Sequence, residues 1–185
     1  MELSAHELLS AWESFYVIVG SSAAALTGLM FVVITIAIER KSGEAGQAID
    51  AFGTPTVVHF IAAFLVSAIM SAPWHSVDGA AISVGILGLV GILYILNTIR
   101  AARRQSVYHP VAEDWIWFII LPLVPYATMV AAGLGLRGHG ITPLFAIGAA
   151  TIVLILIAVH NSWDAVTYNV IQRAKEAGSE SMGGE

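Results

Sequence analysis

The residues best suited to chemistry stand where chemistry is costly. His59 and His160 lie inside long apolar stretches, Asn97 closes another, and Tyr126 sits within a fourth, just after Pro122 and Pro125. Asp164 follows His160 by four residues, so on a continuous helix the two share a face. A carboxylate so placed orients an imidazole through one ring nitrogen and leaves the other for a proton, a metal or a substrate. Asn161, Thr167, Tyr168 and Asn169 crowd the same turns, and Glu113 and Asp114 precede the fourth stretch. Ionisable groups at membrane depth are candidates for function by default. The plainer alternatives are an interfacial helix end anchored by Trp163 and Tyr168, and, for His59, a hydrogen bond that joins neighbouring helices.

Pro122 and Pro125 each remove a backbone donor and crowd the carbonyl four residues earlier, that of Phe118 or Leu121. Carbonyls released at mid-membrane need a neighbour, water or an ion. A helix broken there, with Tyr126, Thr128, Ser67, Thr27 and Thr151 at similar depth, points to a transport site, and a simple kink is the alternative. His6, His75 and His139, with Glu7 and Asp78, fall near the opposite surface. They are ligand types for Zn²⁺ or Cu²⁺ but lack a local spacing such as His-x-x-x-His. Haem held axially is a further option, by His59 with His160 or by His75 with His139. No cysteine is present, which excludes disulfides, thiolate metal sites and cysteine nucleophiles. No phosphate loop, catalytic carboxylate pair or Ser-His-Asp arrangement is recognisable, so a non-enzymatic role is expected and the cofactor stays open.

The elements that position these groups follow from where charge is absent. Of the 185 residues, 57% are hydrophobic and 11% charged, against roughly 25% charged in a soluble domain. A net charge of −5 leaves no basic footprint for nucleic acid. Uncharged runs cover residues 14–38, 51–77, 79–99, 115–136 and 140–163. Each exceeds the ~18 residues that signal a spanning helix. The pattern predicts an all-α integral membrane protein, a bundle of five transmembrane helices near 15–38, 54–73, 80–99, 115–136 and 141–161. Residues 1–176 form one domain, with the last helix continuing into the cytoplasm and a disordered tail at 177–185. Arg40, Lys41, Arg100, Arg103, Arg104, Arg173 and Lys175 fall on one side and Arg137 alone on the other. By the positive-inside rule the N-terminus is outside and the C-terminus cytoplasmic, as in a bacterial inner membrane. Residues 1–14 carry three Glu and no Lys or Arg, unlike a cleavable signal peptide. Ser4 and Glu7 have capping-box spacing, so a helix is expected to start there and run through Trp12 into the first span. Thr54-Pro55 and Thr142-Pro143 are helix starts.

Gly20, Ala24 and Gly28 recur every four residues in the first span, and Gly85, Gly88 and Gly91 form a similar face in the third. Small residues at this spacing let backbones approach closely, within a protomer or between subunits, and a homo-oligomer in the bilayer is expected. Trp12 to Tyr16, Gly20 to Val32 and His160 to Asp164 resemble small bacterial multi-pass membrane proteins, some labelled modulators of the FtsH protease. That resemblance implies a membrane partner or regulator and supplies no catalytic residues. Three functions are therefore open: a channel or transporter for protons or a small ion or solute, a haem- or metal-binding membrane protein, and a non-catalytic membrane partner.

Overall fold

The computed structural model describes residues 5–39, 54–104, 112–136, 138 and 141–183. Among them the elements are helical: α1 (Ala5–Ser10), α2 (Glu13–Glu39), α3 (Thr54–Met70), α4 (Val77–Arg104), α5 (Ala112–Trp115), a π-helical turn (Ile116–Ile120), α6 (Leu121–Gly135) and α7 (Thr142–Gly183). Four stretches are long and apolar enough to cross a membrane: Glu13–Thr35, Val77–Arg100, Ile116–Gly135 and Thr142–Asp164. A fifth apolar helix, Pro55–Met70, is shorter. Large hydrophobic side chains face outward as well as inward; Ile18, Leu93 and Leu134 are exposed alongside a core of Val66, Met129 and Leu154. A helix apolar all round belongs in hydrocarbon.

The helix ends depart from expectation in four places. The second span stops at Met70 instead of residue 73, because Pro73 forces the preceding residue out of helical geometry. Trp74 then folds back, its indole N–H donating to the Ile69 carbonyl at 2.6 Å, which satisfies one of the orphan acceptors of the helix end. The helix expected to run from Ser4 through Trp12 is interrupted by a turn at Ala11 and Trp12, closed by a bond from the Trp12 N–H to the Leu9 carbonyl; Ser4 itself lies outside the described residues. The turn lets Trp12 leave the helix line and pack edge-on against Phe15 and Phe145, with ring centroids 5.5 and 4.7 Å apart. A helical turn, α5, precedes the fourth span, so Glu113 and Asp114 stand on helix just ahead of Ile116. Finally, α7 extends to Gly183, into the stretch 177–185 expected to be disordered, whose last two residues lie outside the described ones.

The bundle's order follows from pairwise packing. α2 lies antiparallel on α3, with Gly20 facing Ser67 and Met30 near Phe60. α2 and α7 run the same way, since Trp12 meets Gly148 at one end and Met30 meets Ser162 at the other. α4 and α6 are antiparallel along a seam of small residues. Helices α3, α4, α6 and α7 thus surround a common core, and α2 packs outside on α3 and α7. The glycine face of α4 is spent within the chain: a Cβ on Gly88 would stand 2.7 Å from the Tyr126 carbonyl, and one on Gly91 would enter the Tyr126 ring. The expected face on α2 is divided. Gly20 closes on Ser67, whereas Ala24 and Gly28 are exposed, because one helix turn of 3.6 residues carries a four-residue repeat slowly around the axis.

The α4–α6 seam gives a direct test. Gly88→Ala meets backbone atoms that cannot retreat, and overpacking of this kind costs about 1–3 kcal/mol. Gly28→Ala and Gly85→Ala place a methyl where nothing lies within 4 Å. Thermal midpoints in detergent should fall for the first and hold or rise for the other two; equal midpoints would refute the seam.

Candidate functional site: a polar layer at one end of the core

On α3 the core-facing residues are Thr56, His59, Ala63, Val66 and Met70, and on α7 they are Ile147, Thr151, Leu154, Ile157 and Asn161, all buried. Their spacing by threes and fours is that of one helix face. Phe60 on α3 packs with Ala158 on α7. In this antiparallel register Thr56 and His59 share the same end of the bundle as Asn161. Three of the five buried polar side chains, Thr56, His59 and Asn161, thus stand at the end where α3 starts, while Ser67 and Thr151 lie further along the core.

The layer is tied across the bundle by His59 and Tyr126, whose Nδ1 and Oη stand 2.9 Å apart. Tyr126 reaches this position because Gly91 leaves room for its ring against α4. Tyr94, also on α4, lies within electrostatic reach of it. Where the phenol donates to Nδ1 the imidazole proton sits on Nε2, and in the other tautomer Nε2 is a bare acceptor. Among the described residues that nitrogen has no hydrogen-bond partner, and neither does the amide of Asn161 on either atom. Tyr16 Oη, on α2, is likewise buried without one. Buried groups of this kind cost free energy unless something meets them.

The hydroxyls expected at the midplane behave differently. Thr27, Ser67 and Thr151 each donate to the carbonyl four residues earlier, at 2.8, 2.9 and 2.7 Å. Their donors are thus satisfied within their own helices. The prolines do not break the fourth span. The chain widens into the π turn just before Pro122, with the Leu121 N–H bonding the Ile116 carbonyl, and continues as α6 with Pro122 and Pro125 both buried. A proline lacks the N–H that the α register needs, and a π turn accommodates that loss without a gap.

The π turn also sets a second feature. It brings Trp117 flat onto His160, ring centroids 3.4 Å apart and planes 20° from parallel. His160 Nε2 stands 3.0 Å from Asp164 Oδ2, an ion-pair approach outside hydrogen-bond alignment. Trp117, Phe118, Glu113 and Asp164 line a cavity of about 190 Å³ beside this stack. Two carboxylates on one small space favour a cation there.

Several expected partners are not brought together. Asn97 is exposed on α4, away from the layer. His59 and His160 take different neighbours, Tyr126 and Trp117, and haem ligation by the pair does not fit: the His59 ring is sealed in the core and Trp117 covers one face of His160. His75 is exposed in the turn after α3 and His6 lies in α1, while His139, which both outer sites need, lies outside the described residues. Among the described residues no group of three His, Asp or Glu side chains could hold a metal ion. Thr56, Asn161 and Trp117 carry more of the site than their sequence context suggests. The signal for the first two is phase: each continues the buried face of its helix by one turn.

Compared with known proteins, the chain matches no family model, no curated sequence and no solved structure.

The cross-bundle bond is measurable. A double-mutant cycle of His59→Phe and Tyr126→Phe should return a coupling of about 0.6–1.7 kcal/mol, the range for hydrogen bonds between membrane helices. Additive effects on unfolding in detergent would show that the two groups do not interact.

Proposed function

We propose that this chain is a small helical membrane protein that moves protons or a small cation, with the polar layer as the internal site and the Glu113/Asp164 cavity as its mouth. What carries the proposal is the layer itself: His59 and Asn161, fully buried in the core of the bundle, present polar atoms that no group among the described residues meets. A core built only for stability would hold apolar residues there, as it does around Val66, Met129 and Leu154. A transported proton, ion or water file supplies the missing partner. The apolar remainder of the core closes the other end, so transport requires the helices to shift, as alternating access does. The Lys/Arg asymmetry supports an orientation with the polar layer on the cytoplasmic side and the N-terminus outside, in a bacterial inner membrane.

The test is flux in proteoliposomes under imposed proton, sodium and potassium gradients. Wild type should conduct at least one of them, and His59→Phe or Asn161→Leu should cut the rate at least tenfold. Ser67→Ala should conduct normally, because its hydroxyl is committed to the Ala63 carbonyl. Silence of the wild type towards all three ions would end this proposal.

A second role, as a membrane partner or a self-associating subunit, is favoured by one observation. Ser21, Ala24, Ala25 and Gly28 form an exposed small-residue strip on α2, opposite the face that meets α3, and α2 is the least buried of the candidate spans. Such strips are where membrane helices associate, which also suits the resemblance to protease modulators. Since the chain has no cysteine, single cysteines report cleanly. Ala25→Cys should crosslink to a second copy in membranes, Ser71→Cys should label from outside, and Glu176→Cys only after permeabilisation. An uncrosslinked Ala25→Cys would remove the self-association, and reversed labelling would reverse the orientation.

A further inference from the structure

A second cavity lies on the outer surface of the bundle, independent of the polar layer. It is a groove of about 240 Å³ formed by Leu26, Met30 and Val33 of α2, Phe60 of α3, and Val159 and Trp163 of α7. We infer that this groove is a fixed binding site for one acyl chain of a bilayer phospholipid.

Four observations select that occupant. The lining is apolar apart from Ser162, and its hydroxyl is already committed, donating to the Ala158 carbonyl at 2.7 Å and touching the Met30 sulfur at 3.4 Å. The groove therefore makes no demand for water or a polar ligand. It follows α2 from Leu26 to Val33, seven residues or about 10 Å along the helix axis, which is the direction acyl chains take in a bilayer. It is open along its side: Leu29 and Val159 on its walls are 59% and 43% exposed, so a chain can enter it from the bilayer without any helix moving. Finally, Trp163 is 71% exposed at its rim, on the turn that carries His160 and Asp164. Amphipathic rings take this place at the headgroup level.

The position gives the lipid a purpose distinct from the general solvation of the bundle. Phe60 forms part of the groove and is only 1% exposed, and the residue before it, His59, turns inward to Tyr126. A chain seated in the groove backs Phe60, the chain neighbour of His59.

The experiment is native mass spectrometry of the purified full chain after exhaustive detergent washing, with bilayer phosphatidylethanolamine and phosphatidylglycerol as probes. Wild type should keep one phospholipid per chain. Val33→Phe and Val159→Phe, which fill the groove, should each lower that occupancy about tenfold, while Val90→Phe, on an exposed face of α4, should leave it unchanged. Equal retention in all four proteins, or none in wild type, would overturn the inference. So would a wild-type dimer that Val33→Phe dissociates without change in bound lipid, since a second copy would then be the occupant. Photolabelling of wild type with a phospholipid carrying a diazirine in its acyl chain decides the matter even if a filled variant fails to fold. Adducts should concentrate at Met30, Val33 and Val159, and an even spread that includes Val90 and Leu93 would refute a fixed site. Flux measurements do not enter either readout, so failure here is separable from failure of the transport proposal.

Discussion

Hydrocarbon offers no hydrogen bonds, and most of this structure can be read as a response to that fact. The backbone answers by being helical throughout the apolar stretches. The hydroxyls answer locally. Ser22, Thr27, Thr35, Ser67, Ser83, Thr98, Thr151 and Ser162 all donate to the carbonyl four residues earlier, at 2.7 to 3.1 Å. A serine or threonine can return its own hydroxyl to its own helix; a histidine, tyrosine or asparagine cannot do so in the same way. The side chains that must look elsewhere are therefore few: Tyr16 on α2, and His59, Tyr126 and Asn161 where α3, α6 and α7 meet. The His59–Tyr126 contact is the point at which that need is met between helices, and the open atoms of His59 and Asn161 are where it is not.

Close packing makes the meeting possible. Tyr126 has a ring that would collide with any side chain at position 91, so the glycine there fixes how far α6 can approach α4 and how deep the phenol can reach. Gly88 and Gly133 serve the same seam, each taking the place of a methyl that would strike backbone on the facing helix. Membrane helices gain little from hiding apolar surface from lipid, so this fit of bare backbone against side chain is much of what holds the bundle. The polar layer and the glycine seam are two aspects of one arrangement: loosening either would withdraw the hydroxyl from the imidazole.

The sequence made the apolar helices legible because charge is excluded from hydrocarbon at a cost of several kcal/mol per residue, which leaves sharp borders. Borders set by something else were blurred. The end of α3 depends on Pro73 and on an indole folding back to Ile69, and the turn at Trp12 depends on Phe145, far away in the chain. Within the site, His59 and Tyr126 stood out by type, yet nothing local to either indicates that they meet; their separation of 67 residues is closed only by packing. Asn97 has the same polar type in a similar context and points outward, since position around the axis, not depth alone, decides which residues meet. Trp117 shows the limit most plainly. Its stacking on His160 requires a π turn, and Pro122 announces a disturbance of the helix without saying which kind.

Helix α7 runs unbroken for 42 residues, about 63 Å at 1.5 Å per residue, or twice the hydrocarbon thickness. His160 and Asp164 thus stand near the middle of a single rod, where one half belongs to the bundle and the other extends beyond it. A pivot of ten degrees at Asp164 would sweep Gly183 through about 5 Å, given roughly 28 Å of helix between them. The same tilt would move the Trp117–His160 stack hardly at all, because the stack stands beside the pivot.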